Sequence, residues 1–533
     1  MQHTLTSLRL SVCCMALAML ASPQVLSQGQ SAQDQGVLMM IEHLRNLERA
    51  RPAPVPAPSP APEMKQPSSE VPDGATVQVS EIRFSRSQLL SDADLRAIGQ
   101  RYVGQRLASA GIRQLLRDVE QLYRDRGLLT AMPVLPRQDL NSGVLHILLV
   151  EGRLGDIRVS AHGAADPKWV QSWFDLPLGK VVTGEEVRER LALFNHVSDY
   201  AAKTQLVSGS QFGQTDLDVS IEDSARVTGW GFYERSSAPN AVVPSLRSVG
   251  MRVAPVSNVG GKLDLAVLET DSGQTFTGSL GIPLGVQGWR THLGASVSRA
   301  DSVLSVPIRT ESRSVSWDVG KTWVLSAPWV FGTSVGLVRF HTRTEVDPVL
   351  ESTTDRLSLA AQLTRETERE RGVLRLSFNA GSSNHRYQFL EATGQWRRWL
   401  DDGGTWALRT SGVARFAARQ SASTFDRLYL GGLDMVRGYE IGAASGDEGA
   451  VLQLELRRKT LLPANVAADL FVFADGGFAQ EWGSHLKRYL GSIGAGLQSR
   501  INDHVGLEVM ATHQVLSQTV SPNRLWMRLV ISY

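Results

Sequence analysis

Two short stretches near the C-terminus hold the residues whose types and spacing could do chemistry. The first is Leu430-Gly431-Gly432-Leu433-Asp434-Met435-Val436-Arg437-Gly438-Tyr439-Glu440, with Gly442, Gly446 and Gly449 following among small and acidic residues. Glycine at this density lets a chain fold back tightly and approach another backbone closely. A long loop of this kind is usually functional or disordered. Arg437 is the one strong point charge within Val436–Tyr439, so an ordered loop needs an anion for it. The second stretch, Phe473-Ala474-Asp475-Gly476-Gly477, offers one. As a strand it places Asp469, Phe471, Phe473 and Asp475 on one face and Leu470, Val472 and Ala474 on the other.

Other reactive patterns are missing. The sequence has no H-E-x-x-H, G-x-S-x-G or G-x-x-x-x-G-K-[ST], and its 11 histidines show no metal-ligand spacing. Gly491, Gly494 and Gly496 sit in a strand pattern rather than between a strand and a helix. The expectation is therefore no catalytic residue, no cofactor and no metal. The formal net charge of +2 over 533 residues gives no electrostatic case for nucleic acid. Both cysteines, Cys13 and Cys14, fall in the N-terminal leader, so a processed chain carries no disulfide or thiolate metal site.

The elements that would position the two stretches lie from about residue 226 to Tyr533. Here helical spacing gives way to strands of about ten residues with apolar and polar faces, the pattern of a transmembrane barrel. Leu293, Ala295 and Val297 alternate with Gly294, Ser296 and Ser298; Leu452, Leu454 and Leu456 alternate with Gln453, Glu455 and Arg457. No apolar run of about 18 residues is present, which argues against a membrane helix. The last strand, Leu525 to Tyr533, ends on an aromatic. Sixteen strands of about ten residues leave connections of about ten on average; fourteen or eighteen fit nearly as well.

Ahead of the barrel, residues 1–27 read as a signal peptide, with Arg9 before the apolar run Leu10–Ala21. A lipoprotein reading of the cysteines is disfavoured because Val12 precedes Cys13, where a small residue is needed. Within residues 28–50, Val37, Met40, Ile41, Leu44 and Leu47 recur at helical steps, giving an amphipathic helix. Residues 51–75 hold eight prolines, a semi-rigid linker reaching ~75 Å. Two similar units of about seventy-five residues follow, 76–151 and 152–225. The first reads as strand Thr76–Phe84, helices Asp92–Val103 and Ile112–Asp125, and strands Leu128–Pro136 and Val144–Glu151. The second reads as strand Leu154–Ala161, helices Lys168–Phe174 and Glu185–Tyr200, and strands Thr204–Ser208 and Leu217–Glu222.

The V-R-G-Y loop followed by F-x-D-x-G resembles the two-partner secretion transporters of the haemolysin secretion/activation type, within the POTRA-barrel superfamily. The resemblance extends to the domain order and to the Ile282-Pro283-Leu284-Gly285 hairpin within Gly278–Arg299. It favours 16 strands and identifies the two units as POTRA domains, with Arg188–Asn195 matching a helix of the second. It implies a loop folded into the lumen, with Val436, Arg437, Gly438 and Tyr439 as loop motif and Phe473, Asp475 and Gly477 as strand motif. Arg437 would pair with Asp475 in a partly wet lumen, short of full burial. Val37 to Leu47 would plug the pore, and Tyr533 would end a barrel signal read by the barrel assembly machinery. The implied setting is the outer-membrane lipid bilayer, with the POTRA domains in the periplasm. The implied client is a large unfolded exoprotein of adhesin or cytolysin type, captured at a POTRA edge. A membrane-protein insertase of the same superfamily is the alternative.

Overall fold

The computed structural model describes residues 76–533, apart from 129, 162–164, 212, 222–226, 238–244, 271–272, 304–306, 327, 346–348, 421–425, 441, 464–465, 503 and 517–521. The signal peptide, the amphipathic helix Val37 to Leu47 and the proline-rich linker lie outside the described residues. The chain divides into two compact units, one comprising chiefly the N-terminal repeat and the other the barrel.

In the first repeat module, one face of helix Ser109–Asp125 buries Ile112, Leu115, Val119 and Tyr123 against Leu145 and Ile147. The spacing follows the 3.6-residue period that brings apolar side chains to one stripe. Strand Val144–Glu151 is central, parallel to Glu81–Phe84 and antiparallel to Ala131–Val134. The Tyr123 hydroxyl donates to Glu151 at 3.0 Å. Burial above all pushes that hydroxyl's pKa up, so it serves as a neutral donor.

One expectation is corrected here: Thr76–Phe84 is not a single strand. Thr76–Gln78 pairs with a short strand that the pattern did not reveal, Arg106–Ala108, while Glu81–Phe84 joins the three-stranded sheet. The break lies where the Val79 N–H turns to Gln105 and the Ser80 N–H to Gly143. Strand Leu128–Pro136 likewise shortens to Ala131–Val134, because the Leu128 N–H is taken by the Tyr123 carbonyl at the end of the preceding helix.

The second module repeats this topology. Strand Gln214–Ile221 is central, parallel to Arg153–Ala161 and antiparallel to Ala202–Ser208. Helix Gly184–Val197 opens on a capping box, with the Thr183 side chain and Glu186 exchanging hydrogen bonds with each other's backbone. Trp173, Phe174 and Phe194 fill the core.

The C-terminal unit is a closed antiparallel barrel of sixteen strands, Val227–Ser236 through Asn523–Ser532. Outward-facing residues are apolar: Leu293, Val297, Val335, Leu337, Leu452 and Leu454 are all exposed. Inward-facing residues are polar and paired side to side, as Thr275 with Ser298 at 3.1 Å and Ser358 with Asn379 at 2.6 Å. Closure removes the open edges that lipid could not satisfy. The last strand pairs with the first from Trp526↔Ser236 to Ser532↔Trp230. Tyr533 extends that seam by exchanging both backbone hydrogen bonds with Gly229, at 2.8 and 2.7 Å.

Candidate functional site: a clamped loop inside the barrel

Between strands Trp406–Ala417 and Glu448–Leu462 the chain forms an insertion that is buried rather than solvated. Leu430, Val436, Tyr439 and Ala444 pack with Val413, Val451 and Leu490 of the wall in one apolar cluster. Leu433 packs separately with Phe471, Phe473, Met510 and Trp526. The base of the loop is a small antiparallel pair, Leu428–Leu430 with Ala444–Gly446.

At the tip, the Arg437 guanidinium meets Asp475 through two parallel hydrogen bonds, Nε to Oδ2 and Nη2 to Oδ1, each 2.7 Å. The Arg437 backbone N–H adds a third to Oδ2 at 3.0 Å. Its remaining nitrogen, Nη1, donates to Glu455 Oε2 at 2.6 Å. The guanidinium carbon lies 3.6 Å from the centroid of the Phe473 ring. A planar fork can satisfy two carboxylates and stack on an aromatic face at the same time. This explains why aromatics face inward on strand Val466–Gln480, while Leu470 and Val472 face out.

The expected partial wetness is corrected. Arg437 is 5% exposed and the Asp475 side chain 0%, in a loop whose Leu433 and Val436 are themselves buried against the wall. Glu455 was visible in the inward polar row Gln453, Glu455, Arg457, yet nothing in the sequence singled it out as a ligand of Arg437. It carries a second arginine, Arg457, which lies over Phe471 at 4.7 Å.

The glycines have steric work here. Gly494 and Gly496 stand opposite Phe473 and Phe471 on the neighbouring strand, and a Cβ on either would lie within 2.6 Å of the ring. A Cβ on Gly477 would come within 2.7 Å of the Ala450 carbonyl oxygen and 3.1 Å of Leu430. Gly438 adopts φ +90°, and a Cβ there would sit 2.9 Å from Thr512 Oγ1. Its carbonyl accepts from Gln514 Nε2 at 2.5 Å, while the Tyr439 hydroxyl donates to the Gly491 carbonyl at 2.9 Å. Gly438→Ala is therefore expected to cost about 1–3 kcal/mol of local strain. The expected result is a barrel that still folds but whose loop is cut by protease faster than in the wild type and more slowly than in Arg437→Ala.

A POTRA domain of the ShlB type matches residues 77–152, and the haemolysin secretion/activation protein family ShlB/FhaC/HecB matches residues 344–499. The second match spans both Arg437 and Asp475. The heme/hemopexin transporter protein HuxB of Haemophilus influenzae strain 86-028NP is 22% identical over 467 residues, 79% of this chain and 80% of that protein. The outer membrane transporter CdiB of Dickeya dadantii is 26% identical over 163 residues, 31% and 29% of the two chains. Among solved structures, CdiB from Acinetobacter baumannii shares the fold with a TM-score of 0.68 at 17% identity, over 96% of this chain and 100% of that one. CdiB from Escherichia coli gives 0.66 at 20% identity, with the same coverage of each chain.

The barrel and these matches define an outer-membrane protein with a periplasmic POTRA domain at residues 77–152. Within that class, the two family matches and the transporter relatives support a two-partner secretion transporter of the haemolysin secretion/activation type.

Proposed function

We propose that the chain is the pore through which one large exoprotein, of adhesin or cytolysin type, passes from the periplasm to the cell surface. The observation that carries this reading is a loop clamped to the inner wall of a barrel that is preceded by a repeated α+β module. A diffusion porin needs neither. The client would arrive unfolded and add a strand to an exposed module edge, where main-chain hydrogen bonds give affinity with little sequence demand. Family members are transport pores, and here the chemistry of Arg437 and Asp475 is read as latching rather than catalysis. The insertase alternative has less support, since the matched families and relatives are secretion and transport proteins.

The test is co-expression with a candidate client, a large exoprotein sought first among the neighbouring genes. The exoprotein should reach the medium or surface only when this chain is present, and outer-membrane protein levels should not change when the chain is removed. A client retained in the periplasm would defeat the reading, and a general loss of outer-membrane barrels would favour the insertase.

The sequence-based plug carries its own expectation. Deleting residues 28–75 should raise single-channel conductance in planar bilayers and leave most secretion intact. Unchanged conductance would remove the plug from the mechanism.

A further inference from the structure

A second buried ionic node lies at the base of the loop, away from the Arg437 motif in sequence. Asp426 stands two residues before strand Leu428–Leu430 and is 0% exposed. One carboxylate oxygen accepts from Arg356 Nη1 and the other from the Tyr387 hydroxyl. Its backbone carbonyl accepts from Arg415 Nη1 at 2.6 Å. Arg415 also binds Glu391, with Nε to Oε2 at 2.8 Å, and its guanidinium carbon lies 4.4 Å from the Phe389 centroid. Two arginines and two carboxylates thus neutralise one another inside the barrel.

The node is sterically prepared. Tyr387 pairs across the strands with Gly381, and a Cβ on that glycine would lie 2.1 Å from the phenol ring. The ring therefore occupies the space that any larger residue would take. Tyr387 also stacks on Phe389, with centroids 6.4 Å apart and planes 6° from parallel.

The strands involved decide what the node does. Asp426 is held by Leu350–Glu366, Arg386–Trp399 and Trp406–Ala417. Arg437 is held by the next two strands of the ring, Glu448–Leu462 and Val466–Gln480, and Gly438 and Tyr439 by the two after those. The two grips share no strand. Because the barrel ladder is continuous without Asp426, the carboxylate's partners fasten the loop to the wall rather than wall to wall.

We propose that Asp426 is a second anchor of the lumen loop, a positioning residue that fixes where the loop turns inward so that Arg437 can reach Asp475. The proposal deepens the secretion reading and rests on it for its consequence, though not for its geometry. Asp426→Asn keeps the shape and removes the charge; Tyr387→Phe removes a single donor.

The experiment places one thiol at Ala444, fully buried at the loop base, in a Cys13→Ser, Cys14→Ser background. Maleimide labelling of purified, reconstituted protein then reports loop release without any client. Hydrogen bonds to charged groups are strong enough that Asp426→Asn should speed labelling about tenfold or more, and Tyr387→Phe by less. Heat-modifiable mobility should show a folded barrel in both. Secretion should fall with Asp426→Asn, and the Asp426→Asn, Arg437→Ala double variant should secrete about as poorly as Arg437→Ala alone. Wild-type labelling rates in both variants would overturn the anchor, as would losses that multiply in the double variant. If the wild type itself exports no client, the secretion reading fails while the labelling rates still decide the anchor.

Discussion

Arg437→Ala is expected to insert into the outer membrane at normal levels and to lose secretion by about a hundredfold. The substitution leaves two buried acids without their shared cation. Asp475 and Glu455 have side chains 0% and 8% exposed, and both lose a charge-assisted partner at once. Breaking a buried pair by removing one member costs about 3–5 kcal/mol, because the remaining charge is uncompensated. The barrel can absorb this: its sixteen strands are joined by a closed ladder that does not run through Arg437. The loop cannot absorb it, so the loop leaves its seat. Arg437→Lys should also fail, by about tenfold, since an ammonium cannot span both Asp475 oxygens, reach Glu455 and lie flat on Phe473. Secretion rate and heat-modifiable barrel are the two measurements. A double-mutant cycle with Asp475→Ala completes the test: additive losses would mean that the contact seen in the structure does not matter to export.

A cation in a glycine-rich loop and an acid ending an aromatic strand face define a pair only if the chain brings them together. The spacing alone could not show that it does; the family resemblance suggested it, and the geometry places the two side chains 2.7 Å apart. The other carboxylate, Glu455, was legible only as one inward polar residue among many. Strand alternation says which way a side chain points, but not which of the inward residues another segment will reach. Asp426 was invisible for the same reason. Its partners Arg356, Tyr387 and Arg415 come from three strands, and no local pattern connects them.

The fold was easier to read where a period repeats. Outward apolar rows such as Leu452 and Leu454 follow from the two-residue alternation, and the strand number came within reach of simple length arithmetic aided by the family. The first module shows where this fails. Thr76–Phe84 has an unbroken strand pattern, yet its two halves pair with different partners. Pairing is a tertiary choice, and a three-residue strand such as Arg106–Ala108 is too short for any period to register.

The second large effect is expected at the edge of the second module. Strand Ala202–Ser208 pairs with Gln214–Ile221 on one side, and among the described residues no strand covers the other. If the client adds there, its affinity comes from main-chain groups, and proline can remove one donor. Backbone N–H groups along a strand point alternately to either side, so of two adjacent residues one donates into the existing ladder and the other outward. Gln205→Pro and Leu206→Pro therefore form a matched pair. The variant whose N–H points outward should leave the module folded, since edge strands tolerate proline, and should lose secretion about tenfold or more. The inward one breaks a ladder bond and should destabilise the module. Removing either whole module, residues 76–151 or 152–223, should abolish secretion while the barrel still inserts. Hydrogen exchange across Ala202–Ile221 in the full chain separates folding loss from docking loss. Normal secretion from the outward variant, with its exchange protection intact, would move client capture away from this edge.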